Sequence, residues 1–581
     1  MAESRVSRYL ARQQEYERLK APWLDLYQAL AEIFLTRKAD FTHAATPGEF
    51  LQDNVFDNTG QFAAHVFASV CLSMLWPDAA RTFNLVPVAQ LRDQPGVEKY
   101  FRAATKKTHL EMDRPEAGLS IAFMEYFLDQ GIFAISGVAN FDGPDEDTPV
   151  VYEAWDIKSM CVSQNAQGFV DTVFFKINRT VRQVYEEYHA NRKPGDKISA
   201  KVIEQYANKK YEEVVQVLKV VEPKMPEAGK KGVAAMKYRT VHIDATNQII
   251  MREGGYEEMP IHVGRMFKRI DETQGRSCGM VALPDAQTLN GVTEGVIVAT
   301  EKQLDPPLVL LDDGRLGGAV VDTSAGAMSV LNASGRLGTS KPLEPIFTVG
   351  EMQSSEKLME RLENKIMQAF FLDRLLDLNN KTMMTAYETS VRNRLRGESV
   401  GSIFARQIME VITPTIKGTV NRLMRKGYLG DFPGAKGAGL EQRKKWKALT
   451  GKDDMVVPDV ILKAVQAGLD IYEVEYISPA QRFMEAEKLQ GAFTGADALA
   501  ALEPVLPGIT DNIDKDDYAR QVWKFAGAPA SSIRTLDDLK TYRAEMTKRQ
   551  DAANAIQAGQ AMADMQLKSA GARKALGTVG T

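Results

Sequence analysis

Gly275-Arg276-Ser277-Cys278-Gly279 matches G-x-S-x-G, the sharp turn that presents a hydrolase serine. The chemistry would be acyl transfer, with Ser277 as nucleophile and an acid and then a histidine downstream to manage its proton. The six histidines, His43, His65, His109, His189, His242 and His262, all precede Ser277. That order cannot supply the triad, so Ser277 reads as structural. Nucleotide chemistry has no better footing. Gly451-Lys452 is followed by Asp453 with no upstream glycine at P-loop spacing, and the glycine-rich run from Gly434 to Gly439 is ordered wrongly for a dinucleotide loop. Asp305, Asp312, Asp313 and Asp322 sit among glycines and serve as turn formers rather than metal ligands. Cys71, Cys161 and Cys278 are too few and too far apart for a disulfide framework or zinc site. The expectation is a protein that is no enzyme and needs no cofactor or metal.

Cation spacing says more. Lys357, Arg361 and Lys365, at i, i+4 and i+8, make one stripe on a helix beside Glu356, Glu360 and Glu363. Such a stripe is a solvated or inter-subunit face laced with ion pairs, or a surface that meets a polyanion. Arg443, Lys444, Lys445 and Lys447 surround Trp446 in the densest basic cluster, expected on an exposed loop. Arg392, Arg394 and Arg396 open a long helix close to a loop at Asn379-Asn380-Lys381. Overall, 72 Lys and Arg face 76 Asp and Glu for a formal charge of −4. A general nucleic-acid coat needs a cation surplus against phosphate. Any DNA contact must be local or weak.

The 581 residues are 44% hydrophobic and 25% charged. That is a folded chain of three to five structural units at roughly 100–200 residues each. Its start is charged and amphipathic rather than a signal core, and its most apolar window, Phe62 to Trp76, would be about 24 Å long as a helix against the roughly 30 Å of a bilayer core. The window reads as a buried helix stopped by Pro77, and the chain as soluble and intracellular where it is made.

Residues 1–135 have helical spacing, with Trp23, Leu26, Leu30, Ile33 and Phe34 following a break at Lys20-Ala21-Pro22. From about 148 to 275 the period becomes strand-like. Val150-Val151-Tyr152 and Phe169 to Phe175 flank the turn Gln164 to Gly168, and Thr180 caps a short helix to His189. A second strand group sets Tyr238, Thr240 and His242 on one face and Arg239, Val241 and Ile243 on the other. Residues 191–233 are lysine-rich.

Leu283-Pro284-Asp285 starts a helix that runs to Leu304 and ends at Asp305-Pro306-Pro307. Residues 306–349, with the run Ala319-Val320-Val321, form a small β-rich module. A helix over 351–378 carries Met359, Leu362, Ile366 and Phe370 as its apolar stripe. A long helix follows from Met384 to about Leu429, kinked at Pro414. A strand at Ile471 to Tyr476 and helices over 479–566 precede a small, basic, disordered tail from Leu567 to Thr581. The class is α+β, mainly helical. Helix, compact β module, returning helix, loop, long helix is an unusual order for an enzyme.

These residues resemble the head-to-tail connecting (portal) proteins of short-tailed phages. The opening helix with Trp23, the Phe62–Pro77 helix leading to Phe83-Asn84-Leu85, and Trp155-Asp156 with Gly168-Phe169-Val170-Asp171 are similar to that family's N-terminal region. Gly275-Arg276-Ser277, Leu283-Pro284-Asp285, Leu289-Asn290 and Asp305-Pro306-Pro307 look like its central signature. Thr385-Ala386-Tyr387-Glu388, Val391 and Arg392 resemble the start of its long helix. The shared order, over roughly residues 1–545, carries the resemblance. One departure is Thr82-Phe83, where the family pattern implies two aromatics.

The resemblance implies a subunit of a homo-dodecameric ring at one capsid vertex, through which double-stranded DNA enters and leaves without sequence-specific recognition. Residues 1–275, with a strand return near 455–479, would be its wing. Residues 276–305 and 350–378 would be stem helices, 306–349 the clip, 379–384 the tunnel loop, and 385–454 a long kinked helix and wing connection. Residues 480–560 would be a helical crown and 561–581 a flexible tail. Lys381, Asn379, Asn380 and Arg374 become channel candidates, Lys357, Arg361 and Lys365 a stem stripe, and Asp312, Asp313 and Arg315 clip residues that dock partners. Implied partners are terminase, a tail adaptor, and scaffolding, major capsid or internal core proteins, with no membrane. The implied location is the virion, after assembly in the host cytoplasm. The residues alone leave open a non-enzymatic intracellular scaffold or adaptor that binds partners through its helical C-terminal region.

Overall fold

The computed structural model describes residues 5–43, 54–77, 82–225, 236–312, 322–332, 343–345, 353–375, 404–433, 439–451, 455–477, 493–501, 513–525 and 536–577, except Asp93, Pro144 and Asp271, with isolated positions between. The fold is mixed α+β and mainly helical. Two compact units divide the chain. One comprises 1–82, 110–422 and 478–484, the other 83–109, 423–477 and 485–581. In the second unit Phe83–Pro87 is the antiparallel partner of the late strand Tyr472–Tyr476.

In the first unit, five antiparallel strands run in the order Met160–Gln164, Val170–Thr180, Val214–Pro223, Tyr238–Asp244, Ile249–Tyr256. Both faces are covered. Phe174, Leu218, Val220, Val241 and Ile243 pack against Tyr9 of the first helix. Val215, Val217 and Met251 pack against Val181, Val184 and Tyr188 on the other side. Thr180 caps its helix as expected, its hydroxyl accepting from the Gln183 amide in a complete capping box. The lysine-rich 191–233 stretch holds the Ala200–Ala207 helix and the central strand Val214–Pro223.

Two local expectations yield to tertiary structure. The helix Arg5–Phe34 runs straight through Pro22. Lys20, buried on that helix, donates to the carbonyls of Ile157, Lys158 and Met160, which ties the helix to the sheet on the turn before the proline. The strand joined to Val170–Thr180 by the 165–169 turn is Met160–Gln164, not Val150–Tyr152. The nearer segment closes the shorter loop, and Gly168 supplies the positive φ of 81° that the turn requires.

Val150–Trp155 instead joins a three-stranded sheet with Ile135–Asp142 at its centre and Ile261–Arg265 on the far edge. Helix Leu119–Phe133 feeds directly into that centre strand and packs on Thr59–Leu75.

Helix Cys278–Leu304 begins earlier than Pro284. Ser277 caps it, and Gly279 lies so close to the Ile132 backbone that a Cβ would sit 3.0 Å from that carbonyl oxygen. A small β module follows, with Leu308–Asp312 between parallel Met328–Asn332 and antiparallel Leu343–Pro345. Ala319-Val320-Val321 lie outside the described residues. The returning helix is Gln353–Ala369 and stops short of 378, because Phe371 adopts a φ of 57°. Phe370 anchors that break between Phe34 and Phe67, at ring distances of 5.6 and 6.0 Å. The expected long helix is described from residue 404. It widens into a π-helical turn at Ile408–Ile412 and continues as Thr413–Arg425 with Pro414 in its first turn, an irregularity where a kink was expected.

In the second unit, the basic cluster of Arg443 to Lys447 lies on the Gly439–Thr450 helix rather than a loop. Trp446 is buried and the Lys106 and Lys107 ammonium groups stand 5.7 and 5.8 Å from its ring, so this aromatic anchors the helix. The Leu536–Gly577 helix carries on through 567–577, where a loose tail was expected. Its alanine-rich composition favours helix strongly enough to do so. Among the described residues no helix is long and apolar enough to cross a membrane.

Candidate functional site

Ser277 is fully buried. Its hydroxyl donates to the Ile132 carbonyl at 2.6 Å and accepts the Met280 amide at 3.0 Å. Both capacities are used in capping the Cys278–Leu304 helix, so the G-x-S-x-G pattern is a helix start. Among the described residues no group of three or more potential ligands could hold a metal. Asp322, imagined in such a cluster, accepts from the Ser324 amide and hydroxyl in a turn.

The Cys278–Leu304 and Gln353–Ala369 helices pack antiparallel. Asp285 meets Lys365 at 3.2 Å near one end of the pair, and Thr293 meets Met359 further along. Leu362 and Ile366 are buried between elements, while Lys357, Arg361 and Lys365 are all exposed along one face. The stripe therefore exists as spaced, with Lys365 partnered inside the subunit. An exposed pair of this kind contributes at most about 1 kcal/mol, so the stripe is a charged surface more than a source of stability. Its far end, residues 290–304, buries little and leaves Ile297, Val298 and Leu304 exposed.

Arg374 lies on the short Leu372–Leu375 helix directly after the Phe371 break. Asn379, Asn380 and Lys381 lie outside the described residues, as do Asp313 and Arg315. Asp312 ends the Leu308–Asp312 strand.

Sequence reading missed a buried polar network between the three-stranded sheet and the irregular helix. Arg265 and Glu410 form an ion pair at 3.0 Å with side chains only 1% and 4% exposed. Glu410 also accepts the Arg265 backbone amide at 2.9 Å. Gln407 accepts from Gln130 at 2.6 Å and from the Tyr126 hydroxyl. Further along, Asn140 and Tyr152 bond to Thr419, and Arg422 donates to the Asn140 carbonyl at 2.6 Å. The π-turn is what aims Gln407 and Glu410 together at the strand. No residue type in this set is unusual alone, and the pairs span more than 140 positions, so spacing offered no signal.

A second buried charge, Asp129, accepts two hydrogen bonds of 2.7 Å from Lys38, which also reaches Asp156 at 3.4 Å. Burial pushes the Asp129 pKa up to about 6, and Lys38 only partly offsets it. Its folded value thus exceeds its unfolded one, near 3.8. Between pH 4 and 6 the folded state binds the extra proton, so the Asp129 contribution to stability falls as pH rises through that window and is level above it. Melting temperatures of the parent and Asp129→Asn proteins over pH 4–7 are expected to diverge across this window, with the variant lacking the downward slope.

A profile of the family described as bacteriophage head to tail connecting protein matches residues 7–534. The chain belongs to that family. It is 22% identical over 539 residues to a probable portal protein of Bordetella phage BPP-1, covering 91% of this chain and 89% of that one. It is also 22% identical over 580 residues to the portal protein of Salmonella phage epsilon15, covering 97% and 95%. A chain from the neck of a native gene transfer agent particle, computed with C12 symmetry, aligns over 72% of this chain and 93% of that one, at 13% identity and a TM-score of 0.31. As a head to tail connecting protein, this chain is a structural part of the virion, located at the portal vertex of the capsid.

Proposed function

We propose that twelve copies close into a ring around a channel through which double-stranded DNA is packaged and ejected. The antiparallel helix pair Cys278–Leu304 and Gln353–Ala369, joined through a small β module and carrying an exposed cation stripe, is the observation that supports this reading. The pair acts as the stem, the 306–349 module as the clip that meets terminase during packaging and a tail adaptor afterwards, and the 379–384 loop as the channel lining. Scaffolding, major capsid or core proteins meet the wing or the crown at 480–560.

Charge suits a conduit. Each phosphate neutralised adds affinity through counterion release, so a ring of strong phosphate contacts would stall sliding. At −4 per subunit, twelve copies sum to −48 and repel the duplex as a whole. A few cations, Lys381 first and Arg374 second, guide it. Lys381→Glu is expected to leave the assembled ring unchanged while lowering nuclease-protected DNA per particle several-fold. Unchanged DNA content in the variant particles would remove Lys381 from the channel.

The function itself is tested by assembling capsids with and without the protein and measuring nuclease-protected DNA after packaging. The reading requires DNA-filled particles only when the protein is present. Equal filling without it would refute the conduit.

A further inference from the structure

A cleft of about 490 Å³ opens in the first unit where the strand Val170–Thr180 passes into its capped helix. Arg179 comes from the end of that strand, Glu186 and Glu187 from the helical turns after it, Lys193 from the loop beyond, and Arg252 from the strand Ile249–Tyr256. Its charges do not balance. Glu186 is paired with Arg182 at 2.9 Å, and Glu187 with Arg252 at 3.4 Å, which Asp196 also holds at 2.6 Å. The lining acids are thus already answered. Arg179 and Lys193 are not. Neither side chain makes a hydrogen bond or ion pair among the described residues, and the Arg179 Nε is buried without an acceptor. A buried charged donor left in that state is costly.

The surplus reaches neighbouring groups. Lys219, His242 and Arg252 lie opposite one another on three adjacent strands. Burial lowers the Lys219 pKa, Glu187 partly restores it, and Arg179 lowers it again, as does Arg252. Burial also holds the His242 imidazole well below its ordinary range, and Lys219, Arg252 and Lys193 add to that shift. Two groups on different strands therefore feel the same excess of positive charge.

We propose that this cleft binds a phosphate-class oxyanion, with Arg179 and Lys193 as its charged donors. Neutral donors stand beside them. The Gln183 side-chain oxygen accepts the Thr180 amide, which leaves its NH2 group to donate, and the Asn191 side chain lines the same cleft with no partner among the described residues. A tetrahedral oxyanion offers acceptors in several directions at once, which suits a guanidinium fork beside an ammonium and two amides. The unanswered positive charge selects against a metal cation. An all-polar lining gives an apolar ligand nothing to bury against. The free ion and a nucleic-acid backbone present the same phosphate chemistry, and the test separates them. The site needs no second copy of the chain, so it stands apart from ring closure.

The test uses the full chain and inorganic phosphate, followed by phosphorus NMR at an ionic strength held constant with sodium chloride. The phosphate resonance is expected to broaden saturably, with a Kd of about 1 mM or tighter. Arg179→Gln and Lys193→Gln are each expected to weaken binding about tenfold, the usual loss of one charged hydrogen bond. Neither side chain holds a neighbour, and the two variants sit on different segments, so either one decides the matter where the other folds poorly. A short DNA duplex without terminal phosphates is then added to the phosphate-loaded parent. Release of phosphate assigns the site to a nucleic-acid backbone, and retention assigns it to the free ion. No saturable broadening, or equal broadening in the parent and both variants, overturns the proposal.

Discussion

Glu410→Ala is expected to destabilise the first compact unit by about 3–5 kcal/mol, the usual result of stranding one member of a buried ion pair. The Arg265 guanidinium would keep its bonds to the Gln164 side chain and the Gly168 carbonyl but lose its counter-charge in a site that water hardly reaches. The Arg265 amide would lose its acceptor in the same step. Removing both charges tests this account against simple volume loss. An Arg265→Met, Glu410→Leu double variant is expected to recover most of the stability, because the penalty belongs to the unpaired charge and not to the missing pair. Chemical denaturation of the parent, the Arg265→Met and Glu410→Leu single variants and the double variant gives the coupling directly. Glu410 sits in the π-turn that leads into the Thr413–Arg425 helix, so the lost pair also loosens the start of that helix.

Gly264→Ala is expected to be comparably damaging, at about 2–4 kcal/mol. An added Cβ would fall on the Tyr126 hydroxyl, 2.7 Å from Val411 and 3.0 Å from the Gln407 amide oxygen. Tyr126 and Gln407 are held by the buried network and Val411 is fully buried, so none has a free direction to yield. Gly291→Ala is the matched control. Nothing lies within 4 Å of a Cβ there, and the residue is interior to a helix. That change is expected to stabilise by up to about 1 kcal/mol. Thermal melts of the two variants should therefore move in opposite directions.

Element order was legible because it rests on local chemistry. Thr180 with Gln183, Gly168 in its turn, and the charged face of 353–369 each act within one helical turn or one hairpin. The errors fall where distant parts intervene. Pro22 should end a helix by its own chemistry, yet the surrounding turns are fixed to the sheet by Tyr9 and Lys20. The helix expected to start at Pro284 begins at Cys278 instead, because Ser277 caps it and Cys278, Gly279 and Ala282 are buried. Trp446 turned a cluster that looked like a polar loop into an anchored helix. The cation stripe on Gln353–Ala369 could be placed on one exposed face from its i, i+4 spacing alone. The Arg265–Glu410 pair could not, because it joins segments 145 residues apart whose meeting is a property of the fold.

The central claim is closure into a ring, and native mass with direct imaging of the purified protein tests it. Twelve copies of the 64.4 kDa chain give about 773 kDa, and the account predicts particles of that mass with a central hole wide enough for duplex DNA. A stable particle without a hole, or a small oligomer that persists at high concentration and in the presence of scaffolding protein, would contradict it.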